Sequence, residues 1–168
     1  MRFLFLDIDG VVVTHRSQVA TRRQSRAFTV PDKSSLGLID LIVSEYDMRV
    51  VVSSTWRMSW TSDQLTCWFA SHGAEFMVHD VTPHRPIGTR SRAAEIREWV
   101  IETEDAVDWE QCLVVDDSFL EEGFRHLDMD PKRCVKCDTY EGFGFREYAK
   151  CVRLMGGDDL KLGEHDGS

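Results

Sequence analysis

The sequence predicts an α/β fold built on a parallel sheet with helices on both faces. Three observations carry that expectation. Short apolar runs such as "RFLFLDI", "MRVVVSS" and "QCLVVDD" show no polar alternation, the mark of strands covered on both sides. Segments with helical apolar spacing separate them. The polar residues that break these runs, Asp7 and Asp9, Ser53 and Ser54, Asp116 and Asp117, all fall at the carboxyl end. That is the rim where open sheets of this kind bind ligands.

Each element follows from its residues. "RFLFLDI" opens the chain as a buried strand, and "THRSQVATRRQSRAF" (14–28) follows as an arginine-rich loop. "VPDKSSLGLIDLIVSEYD" (30–47) reads as a helix, with Pro31 in its first turn and Leu36, Ile39, Leu41, Ile42 and Tyr46 as its apolar stripe. A second buried strand covers 48–54. The helix at 61–73 sets Leu65, Trp68 and Phe69 on one side and stops at Gly73. "EFMVHD" (75–80) is a third strand, and "VTPHRPIG" a loop punctuated by two prolines and a glycine. Ser91 caps a helix over 92–103, where Ala94, Ile96, Trp99 and Val100 share a side. Strands at 111–117 and 133–138 and a helix at 144–155 complete the pattern.

A chain of 168 residues suits one domain, set here at 1–155, with the glycine-rich acidic end 156–168 as a flexible tail. With 42% hydrophobic and 29% charged residues, disordered and fibrous classes are excluded. No apolar run has membrane-spanning length, and the first residues lack the pattern of a secretory signal, so the expected setting is cytoplasmic. The five cysteines are odd in number and irregular in spacing, which argues against a disulfide framework. Cys134 and Cys137 form a lone CxxC without a second pair, and read as buried thiols rather than a zinc or redox site. A net charge of −9 excludes a broad basic face that coats nucleic acid. The local exception is the stretch 14–28, with Arg16, Arg22, Arg23 and Arg26 and no acid.

Asp7, Asp9, Asp116 and Asp117 pose the chemical question. Four carboxylates on one rim repel one another in a partly dehydrated site. A hard divalent cation resolves the repulsion. Mg²⁺ suits a few carboxylate oxygens and takes a phosphate oxygen as a further ligand. "DxDG" alone is a common tight turn and "DDS" alone a common helix cap. Both at strand ends, with serines between them and a basic residue opening a helix, point to phosphate chemistry.

"FLDIDGVV", "VVVSSTWR", the arginine-led "TRSRAAEIREW" and "LVVDDS" occur in that order. They resemble the four motifs of the haloacid dehalogenase (HAD) superfamily of aspartate-nucleophile phosphatases, over about residues 3–125. The narrower likeness is to the small HAD domains of nucleic-acid repair proteins and to the phosphatase domain of polynucleotide kinase-phosphatase. The resemblance implies a HAD-like, Rossmannoid sheet with a minimal cap. It implies Asp7 as nucleophile and Asp9 as general acid and base, with Gly10 permitting the turn that curls Asp9 over the site. It implies that Asp7 and Asp117 hold Mg²⁺ with the backbone carbonyl of Asp9, supported by Asp116. Ser54 or Ser53 would bond the phosphoryl oxygens, and Arg92 or Arg90 would balance the charge in place of the common lysine.

The insert after the first motif, residues 14–29, is too short for a separate cap, so an open mouth and a bulky substrate are expected. Arg16, Arg22, Arg23 and Arg26 would grip phosphates flanking the one removed. Arg57 would contact phosphate, and Trp56 and Trp60 would either stack a base or pack a helix. The expected substrates are nucleic-acid 3′-phosphate ends or nucleotides, with a small-metabolite phosphatase or a catalytically silent phosphate-binding module as the alternatives.

Overall fold

The computed structural model describes residues 1–22, 29–83, 91–118, 120–127 and 129–157. Five parallel strands form one sheet in the order β3-β2-β1-β4-β5. They are β1 (Arg2–Leu6), β2 (Met48–Val52), β3 (Val78–Val81), β4 (Leu113–Asp116) and β5 (Cys134–Lys136). The chain builds outward from β1 to β3, then returns to add β4 on the other side of β1. The strand order therefore reverses between β1 and β4, and the crevice beyond their carboxyl ends is the expected ligand site.

Side chains alternate along each strand, so one apolar run feeds two cores. Leu4, Leu6, Val50, Val52, Leu113 and Val115 join the larger cluster with α2 (Lys33–Glu45), α3 (Ser62–Ser71) and α6 (Phe145–Leu154). Phe3, Phe5, Val51 and Val114 face the other way, against α4 (Arg92–Glu102) and α5 (Glu121–Arg125). Helices cover both faces, as the strand composition requires. Trp99 packs edge-on against Phe3 and Phe5, with ring centroids 5.0 and 5.4 Å away. No helix among the described residues is long and apolar enough to cross a membrane.

Several local expectations shift. The insert is not all loop, because His15–Arg22 forms a helix, α1. Thr14 starts it through a reciprocal bond with Ser17, the Ser17 amide donating to the Thr14 hydroxyl at 3.0 Å. Pro31 lies outside α2, whose cap is Asp32; its carboxylate accepts from the amides of Ser34 and Ser35. Leu41 points to solvent, since the buried stripe of α2 is Leu36, Ile39 and Ile42. On α4 the buried alanine is Ala93, not Ala94. The third strand begins at Val78 because the amides of Glu75 and Phe76 are taken by the Asp40 carboxylate. Cys134 and Cys137 are buried free thiols. The tail from residue 158 onward lies outside the described residues.

Candidate active site

Backbone register puts the site together. Asp7 donates its amide to Val115 O at 3.0 Å, Ser53 to Leu6 O at 2.9 Å and Thr82 to Val52 O at 3.0 Å. The ladder thus runs one residue past β1, β2 and β3. It aligns Thr82, Ser53, Asp7 and the last residue of β4, Asp116, in one row along the carboxyl edge. Asp7 and Asp116 are buried, at 4% and 2% exposure, directly at the switch between β1 and β4.

A sharp turn follows Asp7. The Ile8 carbonyl accepts from the amides of Val12 and Val13 at 3.0 and 2.9 Å, and Gly10 N donates to Val13 O at 2.8 Å. Gly10 takes φ +74°, a conformation suited to glycine. A β-carbon there would collide with the Asp117 carboxylate, so the missing side chain is what lets β4 approach the turn. The Asp9 side chain beyond this turn meets the Trp56 indole.

Arg92, the first residue of α4, lies with Nη1 2.7 Å from Asp7 Oδ2 and 3.0 Å from Asp116 Oδ2. Ser91 caps that helix and fixes its start. Burial works against the guanidinium charge, but the two carboxylates outweigh it and hold Arg92 above its ordinary pKa. Asp116 stays above its ordinary value, mainly through burial and despite Arg92. Among the described residues Arg92 is the arginine that meets Asp7; Arg90 lies outside them.

Asp7, Asp116 and Asp117 each offer a carboxylate oxygen, and these oxygens lie within 4.8 Å of one another. Three hard oxygen donors at that spacing suit Mg²⁺. The Asp117 carboxylate is held by the hydroxyls of Thr139, at 3.0 Å, and Ser118, at 3.3 Å. The Asp9 side chain is not in this group. Its Oδ2 accepts from the Trp56 indole N–H at 3.0 Å. Partial burial raises the Asp9 pKa most; Asp7 and Asp117 add to the rise, and Trp56 opposes it.

The hydroxyls of Ser53, Ser54 and Thr82 are buried and lack a hydrogen-bond partner among the described residues. Orphaned buried hydroxyls are costly, and a phosphoryl group supplies the acceptors they lack. Both serines meet this description, so the choice between them stays open. Thr82 was not singled out from the sequence, although a threonine closing a buried strand is the same signal as Ser53 at the end of β2.

Other residues are placed differently from their sequence expectation. Arg57 does not face the mouth. Its side chain is 4% exposed and forms an ion pair with Glu95 at 2.5 Å, with a second bond to the Ser54 carbonyl at 2.5 Å. Burial, opposed by Glu95, leaves it below its ordinary pKa. It ties the loop after β2 to α4. Arg16 is committed to Asp32 at 2.8 Å and Glu141 at 3.1 Å. Arg23 and Arg26 and the side chain of Arg22 lie outside the described residues. Trp56 packs against Trp68 and Trp60, centroids 4.7 and 5.8 Å away, so packing rather than open stacking describes it. Sequence reasoning missed its bond to Asp9, and also Thr139.

A carboxylate thus stands at the switch point of an open parallel sheet, charge-paired with a helix-opening arginine and flanked by acids from a second strand. The chain matches the family described as the HAD domain in Swiss Army Knife RNA repair proteins over residues 3–147, and it belongs to that family. No curated protein and no solved structure matches it.

Proposed function

We propose that this protein is a Mg²⁺-dependent phosphomonoesterase acting through an aspartyl-phosphate, with nucleic-acid 3′-phosphate ends or nucleotides as substrates. The observation that carries the reading is the convergence of Asp7, Arg92, Asp116 and Asp117 on one crevice. Membership of a repair-protein family favours a nucleic-acid-related phosphorylated substrate over a small metabolite. Five free cysteines fit a reducing cytoplasm.

Asp7 attacks phosphorus, and the phosphorus–oxygen bond to the alcohol breaks as Asp9 gives its proton to the leaving oxygen. Water then attacks the phosphorus of the acyl phosphate and loses a proton to Asp9. Asp7 is released with inorganic phosphate. Arg92 offsets the charge on Asp7 and the phosphoryl oxygens, and the hydroxyls of Ser53, Ser54 and Thr82 supply donors to those oxygens. Asp7, Asp116 and Asp117 would hold Mg²⁺, which neutralises the dianion so that a carboxylate can approach it.

The test is phosphate release from a 3′-phosphorylated oligonucleotide, mononucleotides and sugar phosphates, with Mg²⁺ or chelator. The expected result is Mg²⁺-dependent turnover, fastest on the oligonucleotide or the mononucleotides and absent in Asp7→Asn. Turnover that survives Asp7→Asn or chelation overturns the mechanism, and a preference for sugar phosphates overturns the substrate class.

A further inference from the structure

We infer that Trp56 is a positioning residue for the proton-transfer group, its indole N–H fixing which oxygen of Asp9 faces the leaving group. The inference rests on the phosphatase reading and adds a part to it.

The geometry is specific. Ser54 precedes a short 3₁₀ helix, Thr55–Met58, whose second residue is Trp56. The turn therefore ties the end of β2 to the indole. The ring is clamped by neighbours on the same side of the molecule. Trp68 lies 4.7 Å away by centroid and itself packs edge-on, at 5.0 Å, against the fully buried Phe69. Trp60 lies 5.8 Å away, tilted against the ring. These ring contacts restrict the indole, and its nitrogen only donates. Asp9 Oδ2, 3.0 Å away, is its acceptor.

The consequence for Asp9 is chemical. Asp9 stands at the exposed mouth on a turn, and a carboxyl there would otherwise rotate freely. The indole occupies Oδ2, leaving Oδ1 to carry the proton toward the leaving oxygen in the first step and to receive one from water in the second. Trp56 thus acts through Asp9 and need not touch the substrate.

A leaving group's demand for a proton separates this role from simple packing. The leaving group of an aryl phosphate such as p-nitrophenyl phosphate departs as a stable phenolate, whereas the alkoxide of an alkyl phosphate, including a 3′-phosphorylated oligonucleotide, requires protonation. Trp56→Phe keeps an aromatic ring and removes the donor. It is expected to lower kcat on the alkyl substrate by roughly ten- to a hundredfold, with far less effect on the aryl substrate and on KM. Asp9→Asn gives the same selectivity more strongly. Trp68→Phe loosens the clamp without removing the donor and shifts the alkyl-to-aryl ratio in the same direction, by less than Trp56→Phe. A second readout is independent of turnover. In ¹H–¹⁵N spectra of the full chain, Asp9→Ala moves the Trp56 indole resonance, identified by its loss in Trp56→Phe, more than those of the other tryptophans.

Equal losses on both substrates in Trp56→Phe, or an indole resonance indifferent to Asp9→Ala, overturn the inference while leaving the phosphatase intact. If the wild-type protein cleaves neither substrate, or Asp7→Asn cleaves both, it is the phosphatase reading that fails.

Discussion

Removing Arg92 exposes the electrostatic logic of the site. Its Nη1 lies within 3.0 Å of two carboxylates that are almost completely buried, Asp7 and Asp116. Arg92→Met keeps the length and the helix propensity at the start of α4 while deleting the charge. The two acids then face each other uncompensated at the switch point. Breaking a buried ion pair by taking one partner away costs about 3–5 kcal/mol. For a domain of this size, 1 kcal/mol moves Tm by about 2–4 °C, so the expected loss is about 6–20 °C in chelator. Because Asp117 joins the same cluster, Mg²⁺ held there would stabilise the folded state and restore part of the loss. The assay is thermal unfolding of both proteins with chelator and with millimolar Mg²⁺. The variant should show the larger Mg²⁺-induced rise. A variant that melts with the wild type in chelator refutes the claim that Arg92 neutralises a buried acidic pair.

Two further predictions come from other parts of the fold. Gly10→Ala meets both a positive φ and the Asp117 carboxylate, so it should destabilise the protein by more than about 1 kcal/mol and weaken the Mg²⁺-induced rise in Tm; an unchanged rise would detach Asp117 from the cation site. Burial lifts the thiols of Cys112 to about 11 and of Cys134 and Cys151 to about 12, and raises Cys137 as well, from an ordinary value of 9.0. A folded pKa above the unfolded one means stability is complete below pH 9 and is lost as pH rises toward the folded values. Each such thiol removes up to about 1.4 kcal/mol per pH unit. Urea unfolding at pH 8 and 10.5 checks this, and alkylation at pH 8 should modify the exposed Cys67 alone.

Much of the site is legible because covalent chemistry and strand geometry put its parts at sequence positions that announce themselves. An aspartate that interrupts an apolar strand has no packing explanation, and neither does a serine pair closing "VVV". Asp7, Asp116 and Asp117 were identifiable on those grounds, whereas Arg92 entered only through the family resemblance, with Arg90 beside it. The placement of Arg57 was not legible. Nothing in "STWR" says that its guanidinium turns inward to Glu95, thirty-eight positions along the chain, because the direction of a side chain in a short turn is set by whichever partner the fold supplies. The same holds for Arg16, whose acids come from α2 and from the turn before α6. Thr139 resisted sequence reading for a related reason, since its partner Asp117 lies on a different strand connection.

The residues alone determined the layers of this protein: uniformly apolar strands demand cover on both faces, and amphipathic segments between them supply it. They also determined that acids would collect at one rim, since each strand's polar residues end it on the same side. The tertiary structure decided which of those acids share an arginine, which bring their oxygens within 4.8 Å of one another and which is held by an indole. Those choices depend on a strand order that reverses beside β1 and on approaches of a few ångströms between segments far apart in the chain, which the local sequence does not encode.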